Sequence, residues 1–251
     1  MKEGYEIVYQ RPKTLLNTRM HYCPGCSHAT LHKLLMEIVQ EMDIQDKIIG
    51  VSPVGCAVFA YDYMDIDMQE AAHGRATAVA TGIKRMLPDK IVFTYQGDGD
   101  LAAIGLAETL HACNRGENFT IVFVNNGIYG MTGGQMAPTT LPGQESTTCP
   151  YGRDPKDVGM PMKISEMVSQ FDQVAYVERV SCNTPANVRK TKKSLKKSFL
   201  LQMKKAGTTF IEVVSNCPSN WKCSPIESMK RIKDVVLPYY PLGVFKDTKL
   251  E

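Results

Sequence analysis

The stretch from Ile91 to Val124 constrains this chain most. Ile91–Tyr95 is a run of β-branched and aromatic residues, broken by the turn Gly97-Asp98-Gly99-Asp100. Leu101–Asn114 then carries a helical repeat of apolar positions, and Phe119–Val124 is a second β-rich run. Strand, glycine turn, helix and strand in that order make a βαβ unit, whose strands are parallel and whose crossover is right-handed. Parallel strands are buried on both faces and need helices above and below. The chain is therefore predicted to be α/β, a single-domain mostly parallel sheet flanked by helices. The rest of the sequence can supply the layers. Residues 28–41 put Leu31, Leu34, Leu35 and Ile38 on one helical face, and Lys47–Ser52 reads as a short buried strand. Helices are expected over Gln69–Met86 and Met162–Phe171, and strands over Val174–Val180 and Thr208–Ser215. Thr184 is an N-cap with Pro185 at the first helical position, opening a helix that runs to about Lys205 and stops at Gly207. Residues 57–69 show no clear period, and another helix is expected near 225–233. Residues 126–161 hold seven Gly and five Pro. They read as a long loop, and loops of that length in compact domains usually carry function or are disordered.

This reading divides the chain into an N-terminal arm (1–20), an α/β domain (21–215) and a C-terminal tail (216–251). At 43% hydrophobic and 22% charged residues, the composition excludes a disordered chain, a collagen and a coiled coil. No apolar run approaches the ~18 residues of a membrane span. Met1–Tyr5 lacks the apolar core of a signal peptide, so a cytoplasmic location is expected. A net charge of +3 is too small to imply nucleic-acid binding.

Ligands of parallel sheets sit beyond the carboxyl ends of the strands. Two such ends carry matched polar residues: Gly97-Asp98-Gly99-Asp100, and Asn125-Asn126-Gly127-Ile128-Tyr129-Gly130. If the two strands are neighbours, Asp98 and Asn126 face one point. The glycines admit a ligand close to the backbone, and the helix start favours an anion. A carboxylate and an amide oxygen there suit Mg²⁺ holding a phosphate. The turn lacks G-x-G-x-x-G spacing and no Gly-Lys-Ser/Thr follows, so neither a dinucleotide loop nor a Walker loop fits.

The cysteines form a second constellation. Cys23-Pro24-Gly25-Cys26 is followed by Cys56 in Pro53-Val54-Gly55-Cys56, then by Cys217-Pro218 and Cys223. Close pairs in a reducing compartment point to metal or redox chemistry. A zinc site and a redox dithiol remain open, but Cys56 stands alone where a zinc ribbon would want a second close pair. A four-iron cluster needs four thiolates. Cys23, Cys26 and Cys56 supply three; Cys217 is the preferred fourth and Cys223 its alternative. Cys113 and Cys182 read as plain buried cysteines, and Cys149 has no evident role.

Together, CPGCSH (23–28), PVGC (53–56), HGR (73–75), GDGD (97–100), NNGIYGMTGGQ (125–135) and NCP (216–218) resemble the β subunit of 2-oxoacid:ferredoxin oxidoreductases, over nearly the whole chain. The resemblance implies the diphosphate-binding type of thiamine diphosphate fold. It implies Mg²⁺ on Asp98, Asn126 and the carbonyl of Ile128, with Gly97, Gly99, Asp100, Tyr129 and His73 against the cofactor. It matches Cys23, Cys26, Cys56 and Cys217 to four-iron four-sulfur cluster ligands. Ser27 departs from it, since the family commonly has Gly there. It further implies oxidative decarboxylation of a 2-oxoacid, with the acyl group passed to coenzyme A and the electrons to ferredoxin. The glutamate that activates thiamine normally lies on a pyrimidine-binding domain for which 251 residues leave no room. Glu70 and Glu108 qualify only by type, so this group is expected from a partner α subunit, alongside small ferredoxin-like subunits.

Ala57-Val58-Phe59-Ala60 and the loop around Met131 are uncharged, which slightly favours a branched-chain substrate. Arg75 could instead pair the distal carboxylate of 2-oxoglutarate. Phe59, Arg75 and Met131 are thus the candidate substrate residues. The basic helix residues Arg189, Lys190, Lys192, Lys193, Lys196, Lys197, Lys204 and Lys205 read as a solvated face, or else as a docking patch for an acidic partner. Val188, Leu195, Phe199 and Met203 make its inward stripe. Two rival readings are an electron-transfer or zinc module without catalysis, and a non-oxidative thiamine decarboxylase or synthase with inert cysteines.

Overall fold

The computed structural model describes residues 6–248. Met1–Tyr5 and the last three residues of the tail lie outside the described residues. Helix α1 (Ser27–Met42) leads into β1 (Ile48–Pro53), then the edge strand β2 (Asp67–Ala71), α2 (Ala76–Met86), β3 (Ile91–Gly97), α3 (Leu106–Arg115) and β4 (Thr120–Asn125). The long loop that follows holds the short α4 (Pro155–Val158) and leads to α5 (Ile164–Val168). Next come β5 (Val174–Ser181), α6 (Pro185–Met203), β6 (Thr208–Val214), α7 (Pro225–Arg231), α8 (Leu237–Tyr239) and β7 (Gly243–Asp247).

One seven-stranded sheet runs in the order β2-β1-β3-β4-β6-β5-β7. The first six strands are parallel and β7 runs antiparallel to β5. Successive residues along each strand face opposite layers. Phe93, Val122 and Ile211 join α1 and α6 in one core, while Val92, Ile121 and Phe210 join α2, α3 and α5 in the other. From β1 the chain moves outward to β2, then crosses back to β3 on the far side. That reversal opens a crevice at the carboxyl ends of β1 and β3, where parallel sheets take ligands.

Several expectations need correction. The helix expected from Gln69 begins only at Ala76, because Gln69–Ala71 pair with β1 instead. Gly74, at φ +76°, then turns the chain into α2. Asp98 caps a π-helical turn over Gly99–Ile104 before α3, so the expected helix from Leu101 is split. The segment read as an arm is not all peripheral: Leu15 is buried in the core and bridges to Met64. Helix α6 ends at Met203 with Lys205 in the left-handed region, before Gly207. Leu195 and Phe199 are fully buried as expected, but Met203 is exposed. The basic face of α6 is largely paired within the chain, Lys192 to Glu37 and Glu41, Lys196 to Glu41, Lys197 to Asp247 and Lys190 to Glu178. That supports the solvated-face reading over a docking patch.

The C-terminal segment is tied in by a buried ion cluster. Arg179 on β5 and Glu212 on β6 are both fully buried and meet at 2.8 Å. Arg179 also donates to Glu166 and to the carbonyl of Pro241, and stacks against Phe245 of β7. A buried pair of this kind persists only when its remaining hydrogen bonds are satisfied. Ser165 and Asn125 supply them to Glu212.

Candidate active site

The crevice at the reversal is lined by Gly97, Asp98, Gly99 and Asp100 from the end of β3, by Pro53–Ala57 after β1, and by His73. Asn126 and Ile128–Thr132 close it from the β4 side, and His28 at the start of α1 forms part of its floor. Strands β3 and β4 are neighbours in parallel register, Gly97 beside Val124. Their carboxyl ends therefore bring Asp98 and Asn126 together. The N–H of Ile128 donates to both, at 3.1 Å to Asp98 Oδ2 and 3.2 Å to Asn126 Oδ1. Asp98 also accepts from Gly99 N–H and from the Thr139 hydroxyl. Its carboxyl is buried, and burial raises its pKa to about 6 against the pull of those hydrogen bonds. A nearby cation would favour the ionised form. The pair could hold a hard divalent cation.

Gly99 has a steric reason to be glycine. A Cβ there would stand 2.3 Å from Tyr129 Cε1, and the Tyr129 hydroxyl donates to the Gly99 carbonyl. The two predicted loops are thus in van der Waals contact, leaving their backbone open toward the cleft. Asp100 behaves differently from its neighbour. It lines the cleft, but its carboxylate accepts from Gly74 N–H and Gln96 Nε2 and meets His73 Nδ1 at 3.0 Å. It latches the His73-Gly74 turn to the site, and that hydrogen bond raises the His73 pKa.

Two of the four predicted sulfurs, Cys56 and Cys217, flank Gly130 at the edge of this site. A Cβ on Gly130 would lie 3.0 Å from Cys56 Sγ and 3.6 Å from Cys217 Sγ. Cys23 and Cys26 close their turn with a 3.1 Å backbone hydrogen bond. Burial pushes the Cys56 thiol up to about 12, with Cys217, Cys26 and Cys23 adding to the shift. Burial raises the Cys223 thiol too, but its charged neighbours are Glu227 and Arg231 rather than the other cysteines. All eight cysteines are free thiols. Among the described residues no three His, Cys, Asp or Glu side chains converge on a single metal ion. Cys113 and Cys182 are buried, as expected.

Asn216 locks these distant segments together. Its Oδ1 accepts from the backbone N–H and the hydroxyl of Ser27, while its Nδ2 donates to the Gly25 carbonyl and to Ser228. Ser27, the departure from the family pattern, therefore has a use: its hydroxyl fixes the Cys23–Cys26 turn to the segment carrying Cys217.

Two of the substrate candidates do not enter the cleft. Arg75 Nη1 lies 2.8 Å from Glu108 and is outside the cleft lining, so it is committed to an ion pair. Glu108 is committed by the same contact. Phe59 packs its edge against His21 at 5.1 Å, also outside the lining. Met131 does line the cleft. Sequence reasoning missed His28. It is buried, its Nδ1 shares a 2.8 Å hydrogen bond with the Tyr95 hydroxyl, and burial lowers its pKa to about 4. A neutral imidazole is thereby built into the floor. Its signal was its place two residues after Cys26, at the start of a helix pointing into the crevice.

Comparison with known proteins shows the family. Residues 53–213 match the family "Thiamine pyrophosphate enzyme, C-terminal TPP binding domain". The 2-oxoglutarate synthase subunit KorB of Methanocaldococcus jannaschii is 37% identical over 85% of this chain and 77% of its own length. This chain belongs to the thiamine pyrophosphate enzymes. Within them it is a beta-type subunit of the 2-oxoacid:ferredoxin oxidoreductases. The ketoisovalerate oxidoreductase subunit VorA of Methanothermobacter thermautotrophicus is 45% identical over 97% of this chain. The chain spans about half the length of that relative, 51%. A solved 2-oxoglutarate:ferredoxin oxidoreductase from Magnetococcus marinus, with 2-oxoglutarate, coenzyme A and succinyl-CoA bound, superposes with a TM-score of 0.79. It is 25% identical and covers 98% of this chain and 88% of its own. A thiamine diphosphate-dependent decarboxylase from Rhodococcus jostii (TM-score 0.50, 17% identity) shares only the fold, over 80% of this chain and 34% of its own. Thiamine pyrophosphate binding follows from the family, and the glycine cradle with its buried carboxylate and amide is what such a cofactor needs.

Proposed function

We propose that this chain carries the thiamine and cluster end of a cytoplasmic 2-oxoacid oxidoreductase that decarboxylates its substrate, acylates coenzyme A and reduces ferredoxin. The observation that carries the reading is the meeting of Asp98 and Asn126 at Ile128 N–H, beside the thiols of Cys56 and Cys217 on either side of Gly130. In this proposal Asp98, Asn126 and the Ile128 carbonyl hold Mg²⁺, and through it the cofactor diphosphate. Gly97 and Gly99 let the diphosphate approach the backbone, and Tyr129 walls it in. Cys23, Cys26, Cys56 and Cys217 hold a four-iron four-sulfur cluster; Cys223, outside their influence, does not. Thiamine supplies the electron sink for decarboxylation. The chain's own residues orient and exclude: Asp100 keeps His73 against the cleft, and His28 offers a neutral nitrogen to it. Cys56 in the cleft wall places the cluster beside the thiamine, which shortens the path for electrons leaving the reacting carbon.

The cleft encloses about 190 Å³ and its mouth exposes Val54 and Met131. Complete small-ligand sites enclose roughly 300–1,000 Å³. The cleft therefore forms one wall of a site that a partner completes, and the activating glutamate comes from that partner, an α subunit carrying the pyrimidine-binding domain. Small ferredoxin-like subunits are further candidates for the complex. The lining carries no Lys or Arg, since Arg75 is engaged elsewhere. This supports a branched-chain 2-oxoacid, in line with the 45% identity to a ketoisovalerate oxidoreductase subunit against 37% to a 2-oxoglutarate one.

The test is anaerobic purification of the complex with iron, sulfide and thiamine analysis, on wild type, Cys217→Ser and Cys223→Ser. A brown wild type and Cys223→Ser protein, with an iron-depleted Cys217→Ser, is the expected outcome. A colourless wild type would sink the cluster assignment and favour the non-oxidative reading. Assay with 2-oxoisovalerate and 2-oxoglutarate, each with coenzyme A and ferredoxin, decides the substrate.

A further inference from the structure

The reaction proposed above releases a proton. A 2-oxoacid anion, the thiol of coenzyme A and two oxidised ferredoxins give the thioester, carbon dioxide, two reduced ferredoxins and H⁺. The carboxylate leaves as carbon dioxide without a hydrogen, so the proton is the one that sulfur loses. The thiolate, not the thiol, is the nucleophile. A group at the cleft must take that proton and pass it to water.

The lining holds few bases. Asp98 is committed to the proposed cation and Cys56 to the proposed cluster. His28 lies buried in the floor, where burial lowers its pKa to about 4 and leaves it a poor acceptor near neutrality. Burial raises the Tyr129 pKa, and its hydroxyl is spent on the Gly99 carbonyl. Asp100 is buried and accepts from Gly74 N–H and Gln96 Nε2. That leaves His73, whose side chain is 29% exposed and bonds the carbonyl of Val54, at the mouth.

The ring is fixed in orientation. Nδ1 lies 3.0 Å from Asp100 Oδ1 and 3.0 Å from the Val54 carbonyl oxygen. Both partners are acceptors, so Nδ1 carries a hydrogen. Nε2 has no partner among the described residues and, unlike the orphaned atoms of the core, keeps accessible surface. In the neutral ring Nε2 is therefore the free base. Asp100 is itself held in place: Gln96 Nε2 donates to its Oδ2 at 2.7 Å, and the Thr77 hydroxyl donates to Gln96 Oε1 at 3.1 Å. An accessible base oriented by a third, fixed group is the arrangement that activates nucleophiles. The hydrogen bond to Asp100 raises the His73 pKa against burial, toward the neutral range where a general base works best. Arg75, the other charged group on this turn, is paired with Glu108.

We propose that His73, oriented by Asp100, is the general base for the coenzyme A thiol. The S–H bond breaks and its proton moves to Nε2. Sulfur keeps the electron pair and forms the thioester bond as the acyl carbon's bond to its carrier breaks, the carrier taking that bond's pair. The proton then leaves from the exposed ring to water. The assignment rests on the coenzyme A-dependent reaction proposed above.

The test uses the anaerobically purified complex, with whichever of 2-oxoisovalerate and 2-oxoglutarate it accepts. Cluster reduction without coenzyme A, read as visible bleaching, needs no thiol base, whereas coenzyme A-dependent turnover does. His73→Gln should keep the first within about threefold and slow the second by about 10²-fold or more at pH 7. The deficit should shrink by about tenfold per pH unit as the thiol ionises unaided. Added imidazole should restore turnover to His73→Ala. Calorimetric affinity for thiamine diphosphate with Mg²⁺ should be unchanged in His73→Gln; its loss would make His73 a cofactor-binding residue instead. A further readout needs no turnover. Nitrogen NMR of the histidine-labelled full chain, with His73 assigned from His73→Gln, should show Nδ1 protonated, and Asp100→Asn should lower the pH at which the ring titrates. Equal slowing of both phases, unchanged coenzyme A-dependent turnover, or a deficit independent of pH would overturn the inference. A wild-type complex that is reduced but ignores coenzyme A would fail the proposed reaction itself, and the inference with it, whatever the ring's tautomer.

Discussion

Gly130→Ala places a single methyl group between two of the proposed cluster sulfurs. The new Cβ would stand 3.0 Å from Cys56 Sγ and 3.6 Å from Cys217 Sγ. Gly130 is not among the glycines with positive φ, so alanine meets no backbone strain there. Without metal the two thiols can turn aside, and the cost stays near the lower end of overpacking, about 1 kcal/mol. For a chain of this size that lowers Tm by about 2–4 °C. Sulfurs bound to a cluster cannot turn aside, and the penalty rises toward the full ~1–3 kcal/mol of an overpacked core. Charged to the cluster, it reduces affinity by about 5- to 150-fold. The assay is anaerobic reconstitution with iron and sulfide, reading bound iron per chain and the rate of its loss to a chelator. Gly82→Ala is the control, because a Cβ there meets nothing within 4 Å. If Gly130→Ala takes up full iron and loses it at the wild-type rate, Cys56 and Cys217 do not share a metal centre.

Three further outcomes follow from the same geometry. Asp98→Asn keeps shape but removes the buried charge, so calorimetric affinity for thiamine diphosphate with Mg²⁺ should fall more than tenfold while the far-ultraviolet spectrum is unchanged; undiminished affinity would remove Asp98 from the metal. His28 titrates near 4 when folded and near 6.5 when unfolded. The unfolded chain therefore binds the extra proton, and stability falls as pH drops from 6.5 to 4, by about 3 kcal/mol. Urea midpoints of the metal-free protein against pH measure this, and His28→Gln should flatten the slope; an identical slope would contradict a neutral buried His28. Asn216→Ala strands Ser27 N–H and frees the Gly25 carbonyl, which should cost about 3 kcal/mol; denaturant unfolding checks it, and a loss below 1 kcal/mol would refute the stapling role.

The centre of the sheet and the chemistry at its edge were legible because both are written locally. Ile91–Tyr95 and Phe119–Val124 are apolar runs punctuated by glycine turns, and adjacency of their strands is enough to bring Asp98 to Asn126. The edges were harder. Strand β2, Asp-Met-Gln-Glu-Ala, has four of five residues at least partly exposed and carries no burial signal. Strand β7 is likewise only half covered. Residue types at Arg75 and Phe59 suited a substrate, but a side chain's partner is set by tertiary neighbours, here Glu108 and His21. Asp100 was expected against the cofactor, and its latch onto Gly74 and His73 appears only in the tertiary contacts. The role of Asn216 depends on contacts across long sequence separations, which no local pattern records.

The staple at Asn216 also has a temporal meaning. Cys23 leaves the ribosome early, whereas Cys217 and the Asn216 amide that pins its partner turn are made nearly two hundred residues later. A nascent chain thus offers any iron carrier at most three of the proposed sulfurs, unaligned. If the proposed cluster forms, its assembly waits for Asn216 and Cys217, and a chain cut short before them would stay dark however well its sheet had begun to form.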